Sequence, residues 1–360
     1  MSPDTIRCEI IAEAGVNHEG CGNLALRLVD AAVQAGADTV KFQTFDPAEL
    51  STASAPTADY QAAAGQGSVQ AGMLSRLVLP RDALSQVVAH ARTSGIGFLS
   101  TPFDIGSARM LVDDLGMERI KVGSGELTNL PFLLALARMD RPLLLSTGMA
   151  TMDEVREALG CVVFGRIAGG SETPSLSAFA EAFASRDAPA VLAQTVVMQC
   201  VTQYPAPHDQ ANLRVMDSYA ALGVQPGYSD HTLGIDIALA AVARGAVVIE
   251  KHLTLDRTAE GPDHKASLEP EEMAALVRGA RRVTEALGDP VKKPVLAELP
   301  NIAVARRGLV AARPIAAGEA FSADNLAARR AGGGLAPGRL WDVIGQIAAR
   351  PYVPDEKIDP

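Results

Sequence analysis

Short runs of apolar residues recur along most of the chain, and each is followed by a stretch in which apolar residues return every three or four positions. The runs predict eight strands, at Glu9–Ala12, Thr39–Phe42, Gly97–Ser100, Arg119–Val122, Pro142–Leu145, Val196–Cys200, around Gly227, and Val247–Glu250. The stretches between them predict helices, among them Leu24–Ala35, Asp82–Ser94, Gly106–Asp114, Met152–Leu159 and Ile235–Arg244. Strands that alternate with helices predict βαβ units and a parallel sheet.

Eight such units over roughly 280 residues predict a (β/α)₈ TIM barrel rather than an open doubly wound sheet. Nearly every predicted strand leads at once into residues that can take part in chemistry, namely Glu13, Lys41, Thr101, Lys121 with Ser124, Ser146, Tyr204, His231 and His252. In a barrel these positions converge on one mouth, whereas an open sheet would spread them along an edge. For single members, such as Thr101 and Ser146, the alternative is that they only cap the helices that follow.

Two segments depart from this rhythm. Residues 165–187 contain Gly169-Gly170-Ser171 and Pro174, so we predict an insertion between strands five and six, with a surface helix as its simplest content. The turn-rich segment after Leu287 predicts a linker over 288–301. The expected organisation is therefore a barrel over 1–287 and a small domain over 302–360. Within that domain, Ala-Ala-Arg-Pro at 311–314 recurs at 348–351, which predicts two similar halves.

Composition limits the classes of protein to consider. A hydrophobic content of 48% in 360 residues supplies a large core and excludes global disorder. The net charge of −10 disfavours nucleic acid and acidic membranes as partners, although it permits a local basic pocket. The four cysteines are scattered without CxxC spacing, which indicates reduced thiols. With no leader-like or membrane-spanning run, we expect a cytoplasmic protein.

The charged strand ends suggest an anion site. Glu13 ends an otherwise apolar strand, where an acid is costly to bury unless it has a partner. Its alternative role is a structural ion pair with Lys41 or Lys121. The two lysines would repel each other in one mouth, and a phosphate or carboxylate ligand between them would resolve this, helped by the hydroxyl of Ser124. A Schiff base on one lysine, as in barrel aldolases, is the other possibility.

The two histidines at strand ends suggest a metal. His231 and His252 end strands seven and eight, which are neighbours in a closed barrel. Two imidazoles, completed by water and substrate oxygens, suit a divalent transition metal with open coordination positions. The spacing is not a local metal motif, so a general acid or a hydrogen-bonded core histidine remains the alternative. The loop Gly15-Val16-Asn17-His18-Glu19-Gly20 is not GxGxxG, which excludes a dinucleotide fingerprint.

Several motifs, taken in order, closely resemble the sialic acid synthase family, whose members make N-acetylneuraminate, legionaminate and pseudaminate. They are Ile11-Ala12-Glu13-Ala14-Gly15-Val16-Asn17-His18, Ala37-Asp38-Thr39-Val40-Lys41-Phe42-Gln43, Phe98-Leu99-Ser100-Thr101-Pro102-Phe103, Lys121-Val122-Gly123-Ser124-Gly125-Glu126, Leu145-Ser146-Thr147-Gly148-Met149 and Ser229-Asp230-His231-Thr232. The tail, from Arg307-Gly308-Leu309 through Arg330-Ala331-Gly332-Gly333-Gly334, resembles that family's antifreeze-like SAF domain, a β-clip fold.

The resemblance implies a transferase that condenses phosphoenolpyruvate with an open-chain 2-acetamido sugar, N-acetylmannosamine or 2,4-diacetamido-2,4,6-trideoxymannose. The product would be a nine-carbon 2-keto acid plus phosphate. It further implies a domain-swapped homodimer and a divalent metal, Mn²⁺ before Mg²⁺ or Co²⁺. The implied roles are phosphoenolpyruvate binding by Lys41, Thr101, Lys121, Ser124 and Ser146, sugar binding by Gln43, Glu126, Tyr204, Asp263 and the partner's Arg330, metal binding by His231 and His252, and handling of water by Glu13.

Some positions and alternatives stay open. Thr202 stands where some relatives have Asn, so its phosphate contact is in question, and Gln199 replaces a histidine common in the family. Tyr60-Gln61 with Gln70 and Met73 is similar to the legionaminate and bacterial N-acetylneuraminate branch, but this does not decide the sugar. The rival functions are a metal- or Schiff-base-dependent barrel aldolase and a non-catalytic binder of carbohydrate or ice.

Overall fold

Eight short strands carry the first part of the fold. The structure, a computed structural model, describes residues 7–52, 54–57, 69–169 and 172–359. The strands are β1 (Glu9–Gly15), β2 (Thr39–Thr44), β3 (Gly97–Pro102), β4 (Ile120–Val122), β5 (Leu143–Ser146), β6 (Thr195–Gln199), β7 (Gln225–Asp230) and β8 (Val248–His252). Each overlaps a predicted strand, because a buried parallel strand needs apolar residues on both faces and the chain supplies them in runs of this length.

All eight strands belong to one sheet. Their order is β3-β2-β1-β8-β7-β6-β5-β4, and every hydrogen-bonded pair of neighbours is parallel. The two ends of this order, β3 and β4, lie side by side, so the sheet is a nearly closed barrel. The prediction of a (β/α)₈ barrel is confirmed, and its helices form the outer layer. Among the described residues, no helix is long and apolar enough to cross a membrane.

The helices follow the strands closely. Those of the barrel unit span Gly22–Ala35, Pro47–Leu50, Gln70–Leu77, Arg81–Thr93, Ile105–Arg109, Leu130–Ala137, Met152–Ile167, Leu176–Phe183, Ala188–Leu192, Val215–Ala220, Asp236–Ala243 and Pro270–Leu287, with a π-helical turn over Met110–Asp114. The helix after β5 begins with a capping box, in which Thr151 and Glu154 satisfy each other's backbone N–H groups.

The segment after β5 differs from its prediction in the length of one helix and in the packing of another. Its helix does not end near Leu159 but continues to Ile167, because the apolar residues from Val162 to Phe164 are all buried. A second helix, Leu176–Phe183, packs across it, with the rings of Phe164 and Phe179 edge to face at 5.3 Å. This helix is therefore part of the core on one side, whereas the prediction placed it on the surface.

The chain divides into two compact units, Met1–Gly288 and Asp289–Pro360. The second unit begins with a helix, Leu299–Ala305, whose first residues fall in the predicted linker. Its antiparallel strands are β9 (Gly308–Ala311) and β10 (Leu326–Arg329), and a short helix spans Leu340–Val343. A small core of its own contains Ile315, Phe321 and Tyr352.

The predicted internal repeat of this unit exists in three dimensions. The backbone of Ile315 exchanges two hydrogen bonds with that of Tyr352, and these residues occupy equivalent places in the two copies. Arg313 pairs with Glu319, six residues on, and Arg350 pairs with Glu356 at the same spacing. The two halves therefore use the same local ion pair and meet through their equivalent apolar residue.

Side chains alternate between the two faces of each barrel strand, and this alternation determines which residues point into the barrel. Successive residues of a strand point to opposite faces, so Glu9, Ile11 and Glu13 of β1 share one face. Arg119 pairs with Glu9 towards the amino ends of the strands, whereas Glu13 lies in register with Lys41 of β2 near the carboxyl ends. The barrel interior therefore has a charged layer at each end and apolar residues such as Ile11 and Leu99 between them.

Candidate active site

A cavity of about 270 Å³ opens at the carboxyl ends of the barrel strands. Of the residues predicted for the site within the barrel unit, all but Glu126 line it: Glu13, Lys41, Gln43, Thr101, Lys121, Ser124, Ser146, Thr202, Tyr204, His231, His252 and Asp263. The fold thus brings together side chains from nearly all of the strand ends, as expected for a barrel mouth.

Lys41 is the centre of the cavity floor. Its Nζ lies 2.7 Å from Oε1 of Glu13 and 3.2 Å from Oε2 of Glu250, and it donates a 3.2 Å hydrogen bond to Oγ1 of Thr101. Burial alone would lower the pKa of this lysine, but the two carboxylates outweigh burial and raise the pKa. Lys41 is therefore a permanent cation in the floor.

Lys121 is held more loosely. It donates a 2.6 Å hydrogen bond to Oγ of Ser146, and its carboxylate partner, Oε1 of Glu250, is 3.4 Å away. Burial lowers the pKa of Lys121, and the attraction of Glu250 does not fully offset it. A bound anion would favour the charged form of this lysine. Neither Thr101 nor Ser146 caps a helix, because Asp104 and Thr151 cap the helices that follow β3 and β5. Each instead accepts a hydrogen bond from a lysine.

Glu250 is the functional candidate that the sequence analysis missed. Its side chain is almost fully buried, spans the two lysines and accepts a 2.9 Å hydrogen bond from Ser229. We expected a ligand anion between the lysines, but a protein carboxylate already lies there. The signal was present, since an acid in the apolar strand β8 poses the same question as Glu13 does in β1.

Glu13 combines the two roles that were left open. It forms an ion pair with Lys41, and it also accepts a 3.1 Å hydrogen bond from Gln43 and lies 3.4 Å from Nε2 of His252. Burial would raise the pKa of Glu13, but His252, Lys41 and Lys121 hold it well below its usual range. Glu13 is therefore an ionised carboxylate that faces the cavity and can accept a proton.

The two histidines lie next to each other, with ring centroids 5.7 Å apart. Nδ1 of His231 lies 2.6 Å from the carbonyl oxygen of Val201, and burial lowers the pKa of His231 to about 3. A neutral ring that donates from Nδ1 carries its lone pair on Nε2, which is the form of a metal-binding histidine, and Oγ of Ser229 lies 3.4 Å from this nitrogen. The ring of Tyr204 stacks over His231 at 4.1 Å and fixes its orientation.

The donor set fits a metal with few protein ligands. Nδ1 of His252 is buried and, among the residues that the structure describes, has no hydrogen-bond partner, with Oδ2 of Asp263 at 3.8 Å. Within the described residues, no group of three His, Cys, Asp or Glu side chains surrounds one possible metal position. An ion held by His231 and His252 would therefore depend on water and substrate oxygens for its other positions.

Ser124, Thr202 and Cys200 surround the start of the loop after β5. Oγ of Ser124 lies 3.1 Å from Sγ of Cys200, and the backbone N–H of Gly148 donates to both atoms. A Cβ at Gly148 would lie 2.0 Å from Oγ1 of Thr202, so only glycine allows this approach. Oγ1 of Thr202 is buried and, in the described chain, has no hydrogen-bond partner, so it can still bind a ligand.

Asp263 is positioned by the loop after β1. Nδ2 of Asn17 donates to the carbonyl oxygen of Leu253 and to Oγ of Ser267, and Ser267 in turn donates to the backbone carbonyl of Asp263. Burial raises the pKa of Asp263. The asparagine that sequence analysis placed simply in a loop therefore ties that loop to the one after β8.

Three predictions concern a barrel residue outside the cavity lining, a residue of the second unit, and two residues that are not described. Glu126 does not line the cavity and accepts a 2.7 Å hydrogen bond from Asn129, so its sugar-binding role stays a prediction. Arg330 is an exposed residue of the second unit, next to three glycines with positive φ at 332–334. Tyr60 and Gln61 lie outside the described residues.

Comparison with known proteins adds the family. The NeuB family matches residues 28–292, and the SAF domain matches residues 306–360. The chain belongs to the NeuB family. The predicted resemblance to sialic acid synthases and the predicted SAF domain are both confirmed.

Among its relatives are proteins named as legionaminic acid and sialic acid synthases. An N,N'-diacetyllegionaminic acid synthase of Campylobacter jejuni is 41% identical over 351 residues, which are 97% of this chain and 98% of that protein. The enzyme of the same name from Legionella pneumophila is 40% identical and covers 95% of this chain and 90% of that protein. The crystal structure of N-acetylneuraminic acid (sialic acid) synthetase from Leptospira borgpetersenii, in complex with citrate, is 30% identical, with a TM-score of 0.65 over 83% of this chain and 91% of that chain.

Proposed function

We propose that this NeuB family enzyme condenses phosphoenolpyruvate with the aldehyde of an open-chain 2-acetamido hexose, giving a nine-carbon 2-keto acid and phosphate. The observation that carries the proposal is the floor, where two lysines, hydroxyl donors and an ionised Glu13 surround one cavity next to the imidazoles of His231 and His252. The names of its relatives support the same class of product.

Phosphoenolpyruvate would bind over the lysines. Lys41 with Thr101 and Lys121 with Ser146 form two cation–hydroxyl pairs, and Ser124 and Thr202 add hydroxyl groups on the β4–β6 side. Such sets of donors suit the oxygens of a phosphate and a carboxylate. We therefore propose that Thr202 keeps a phosphate contact in spite of its shorter side chain.

Charge balance supports a bound divalent cation. The charges of Lys41 and Lys121 are already balanced by Glu13 and Glu250, whereas phosphoenolpyruvate brings roughly two to three negative charges. We propose that His231 and His252 hold Mn²⁺ or a similar ion that offsets this excess. When bound, such an ion supplies Lewis-acid polarisation of the aldehyde oxygen.

The residues of the chain would then guide three changes of bonding. The C2=C3 electrons of the enolpyruvate form the new bond from C3 to the aldehyde carbon, whose oxygen takes up a proton. Water attacks C2, and Glu13 accepts the proton that the water gives up. The C2 hydroxyl then gives up its proton as the C2–O bond to the phosphate breaks, which leaves a ketone at C2 and releases phosphate that carries this proton. Gln43, Tyr204 and Asp263 line the side of the cavity where the sugar would lie, and we propose that they orient it.

Isotope labelling tests this function and separates it from an aldolase. The purified protein is incubated with Mn²⁺, an acetamido sugar and phosphoenolpyruvate that carries ¹⁸O in its bridging position. We expect phosphate release to require both substrates and the label to appear in the phosphate, because the C–O bond breaks. A label retained in the organic product, or phosphate release without sugar, would contradict the proposal.

Metal dependence has its own test. Chelation should abolish turnover and Mn²⁺ should restore it, whereas His231→Ala and His252→Ala should not recover at ordinary metal levels. Direct titration of Mn²⁺ by electron paramagnetic resonance should show one site in the parent protein and none in either variant. Full activity after complete chelation would end the metal proposal.

We also propose that the enzyme acts as a domain-swapped homodimer in which the partner's Arg330 reaches the sugar. Arg330 is exposed, and in the described chain it makes no hydrogen bond or ion pair. The second unit also exposes large apolar side chains, with Leu296 at 86% and Trp341 at 77% exposure, which is typical of surfaces that bind another protein. Both features suit a domain that docks on a second copy.

Subunit mixing tests this arrangement. Glu13→Gln and Arg330→Ala proteins, each inactive alone, are mixed under conditions that exchange subunits. Shared sites predict partial recovery of activity, because one barrel of each mixed dimer has an intact Glu13 together with an intact arginine from its partner. Exchange without recovery would show that the arginine acts in its own chain or has no role.

A further inference from the structure

The loop that carries Asp263 follows β8. Pro262 and Asp263 of this loop line the cavity, and the loop residues from Gly261 to His264 are all buried. Oδ2 of Asp263 lies 3.8 Å from Nδ1 of His252. Because this part of the chain lies outside the eight strands, its own side-chain contacts decide where the carboxylate points.

The ring of His264 supports the turn that precedes Asp263. A Cβ at Gly261 would lie 2.4 Å from Cδ2 of His264, so only glycine allows the ring to pack this closely against the turn. Nδ1 of His264 lies 2.7 Å from Oγ1 of Thr254, which fixes the ring from one side. A movement of this ring would therefore move the turn, and the aspartate with it.

The other ring nitrogen faces the loop after β1. Nε2 of His264 is buried and, among the residues that the structure describes, forms no hydrogen bond, while Oε1 of Glu19 lies 3.3 Å away. A buried polar atom is costly to leave without a partner. The side chain of Glu19 is 45% exposed, so a small rotation can complete the hydrogen bond. An Nε2–H donates to a carboxylate both in the neutral ring and in the imidazolium.

Glu19 also occupies an unfavourable backbone conformation. Its φ is +50°, in the left-handed region that residues other than glycine, asparagine and aspartate rarely occupy. The next residue, Gly20, has a φ of +71°, and its N–H donates to Nδ1 of His18, so the turn is held in this form. A glycine or asparagine at position 19 would relieve the strain, and a glutamate kept in such a conformation points to a function of its side chain.

We infer that Glu19 and His264 form a pair that positions Asp263 for the acceptor sugar, by fastening the loop after β8 to the loop after β1. The inference rests on the proposed function, in which Asp263 orients that sugar. Asn17 ties the two ends of the β8 loop to the same partner loop, whereas Glu19 ties its middle. Neither member of the pair lines the cavity, so both act through the aspartate.

Two substitutions of Glu19 that differ in reach test the pair. Glu19→Asn tolerates the left-handed backbone but is one methylene shorter, so it should lose the contact without new strain. Glu19→Gln keeps the reach, and its amide can accept from Nε2 or donate to it. Glu260→Gln, at an exposed glutamate of the β8 loop, is the control for a lost charge.

The kinetic readout compares the two substrates. The sugar is whichever of N-acetylmannosamine and 2,4-diacetamido-2,4,6-trideoxymannose the parent protein uses faster, with Mn²⁺ present. For this sugar, we expect kcat/KM to fall about 10-fold in Glu19→Asn and by no more than about 2-fold in Glu19→Gln and Glu260→Gln. KM for phosphoenolpyruvate, which binds at the floor, should stay within about 2-fold of the parent value in all three. An equal loss for both substrates would overturn the positioning of the sugar.

Hydrogen exchange examines the loop itself without turnover. Backbone amides of residues 261–267 should exchange about 10-fold faster in Glu19→Asn than in the parent protein, whereas Glu19→Gln and Glu260→Gln should resemble the parent. Equal exchange in all four proteins would overturn the pair. Faster exchange with an unchanged kcat/KM for the sugar would overturn its role in positioning Asp263.

The two readouts separate this inference from the proposed function. If the parent protein releases no phosphate from phosphoenolpyruvate with either sugar, the condensation itself is wrong, and hydrogen exchange still decides whether the pair fastens the loop. If the parent is active and Glu19→Asn matches it in both readouts, the condensation stands and the pair is wrong.

Discussion

Strands β7 and β8 carry two buried charge clusters on opposite faces. Inside the barrel, Glu250 of β8 joins Lys41 and Lys121 in the floor. On the other face of the same strands, Lys251 pairs with Asp230 at 2.8 Å, and both side chains are completely buried. Neighbours in sequence thus belong to two different networks, because successive side chains of a strand point to opposite sides.

The two clusters differ in how completely they are satisfied. Asp230 accepts hydrogen bonds from the N–H and the hydroxyl of Thr232, and Lys251 also donates to the carbonyl of Thr232. In the floor, the carboxylate oxygen that partners Lys121 is 3.4 Å away, whereas that of Lys251 is at 2.8 Å; burial lowers the pKa of both lysines. A closed network of charges holds strands together, whereas an incomplete one that lines a cavity is arranged for a ligand.

Removing one charge from each cluster tests most directly whether the two clusters have different roles. Lys121→Met should lower kcat/KM at least about 10³-fold, because it removes a cation from the phosphoenolpyruvate site. Its free energy of unfolding should change by no more than about 2 kcal/mol, since Glu250 keeps Lys41 and Ser229 as partners. Denaturant unfolding and phosphate-release kinetics measure the two effects.

Asp230→Asn is the matched change in the outer cluster. It leaves Lys251 buried without a carboxylate, so we expect a loss of about 3–5 kcal/mol in the free energy of unfolding. The activity per folded molecule should change little. If Asp230→Asn abolished turnover in folded protein, or if Lys121→Met unfolded the protein, the division into a structural and a ligand-binding cluster would be wrong.

A substitution of Glu13 tests the role of a further charged residue in the floor. Glu13→Gln removes a proton acceptor but keeps the hydrogen-bonding shape, so kcat should fall about 10²-fold or more with smaller changes in both KM values. Steady-state kinetics with each substrate varied in turn measure this. An unchanged kcat with raised KM values would identify Glu13 as a binding or structural carboxylate.

The smallest expected effect on turnover concerns His18, which is buried beside Phe42 and not in either charge cluster. Burial lowers the pKa of His18 to about 4, so below pH 6.5 the unfolded chain binds a proton that the folded protein does not. Stability should therefore fall from pH 6.5 to pH 4, with a contribution of about 3 kcal/mol from this residue.

His18→Asn can test this because an asparagine side chain can still accept from the N–H of Gly20, as Nδ1 of His18 does. The free energy of unfolding of the variant should depend less steeply on pH across this interval, while turnover near neutral pH should fall only mildly. Identical pH dependence in the two proteins would show that His18 is not held neutral by burial.

Much of the fold could be predicted because local patterns and chain topology impose it. A run of apolar residues followed by an amphipathic stretch, repeated eight times, leaves few arrangements other than a parallel barrel. The strand ends then had to meet at one mouth, which placed Glu13, Lys41, Lys121, His231 and His252 together. The recurring Ala-Ala-Arg-Pro likewise indicated the two matching halves of the second unit.

The order of elements, the barrel and most of the side chains at its mouth thus follow from the amino-acid sequence, because they depend on periodicity and on position along a strand. The contacts between those side chains follow from the three-dimensional fold. It placed Glu250 between the two lysines and tied Asn17 to the loop of Asp263. Such contacts depend on distances across the barrel, which no local pattern encodes.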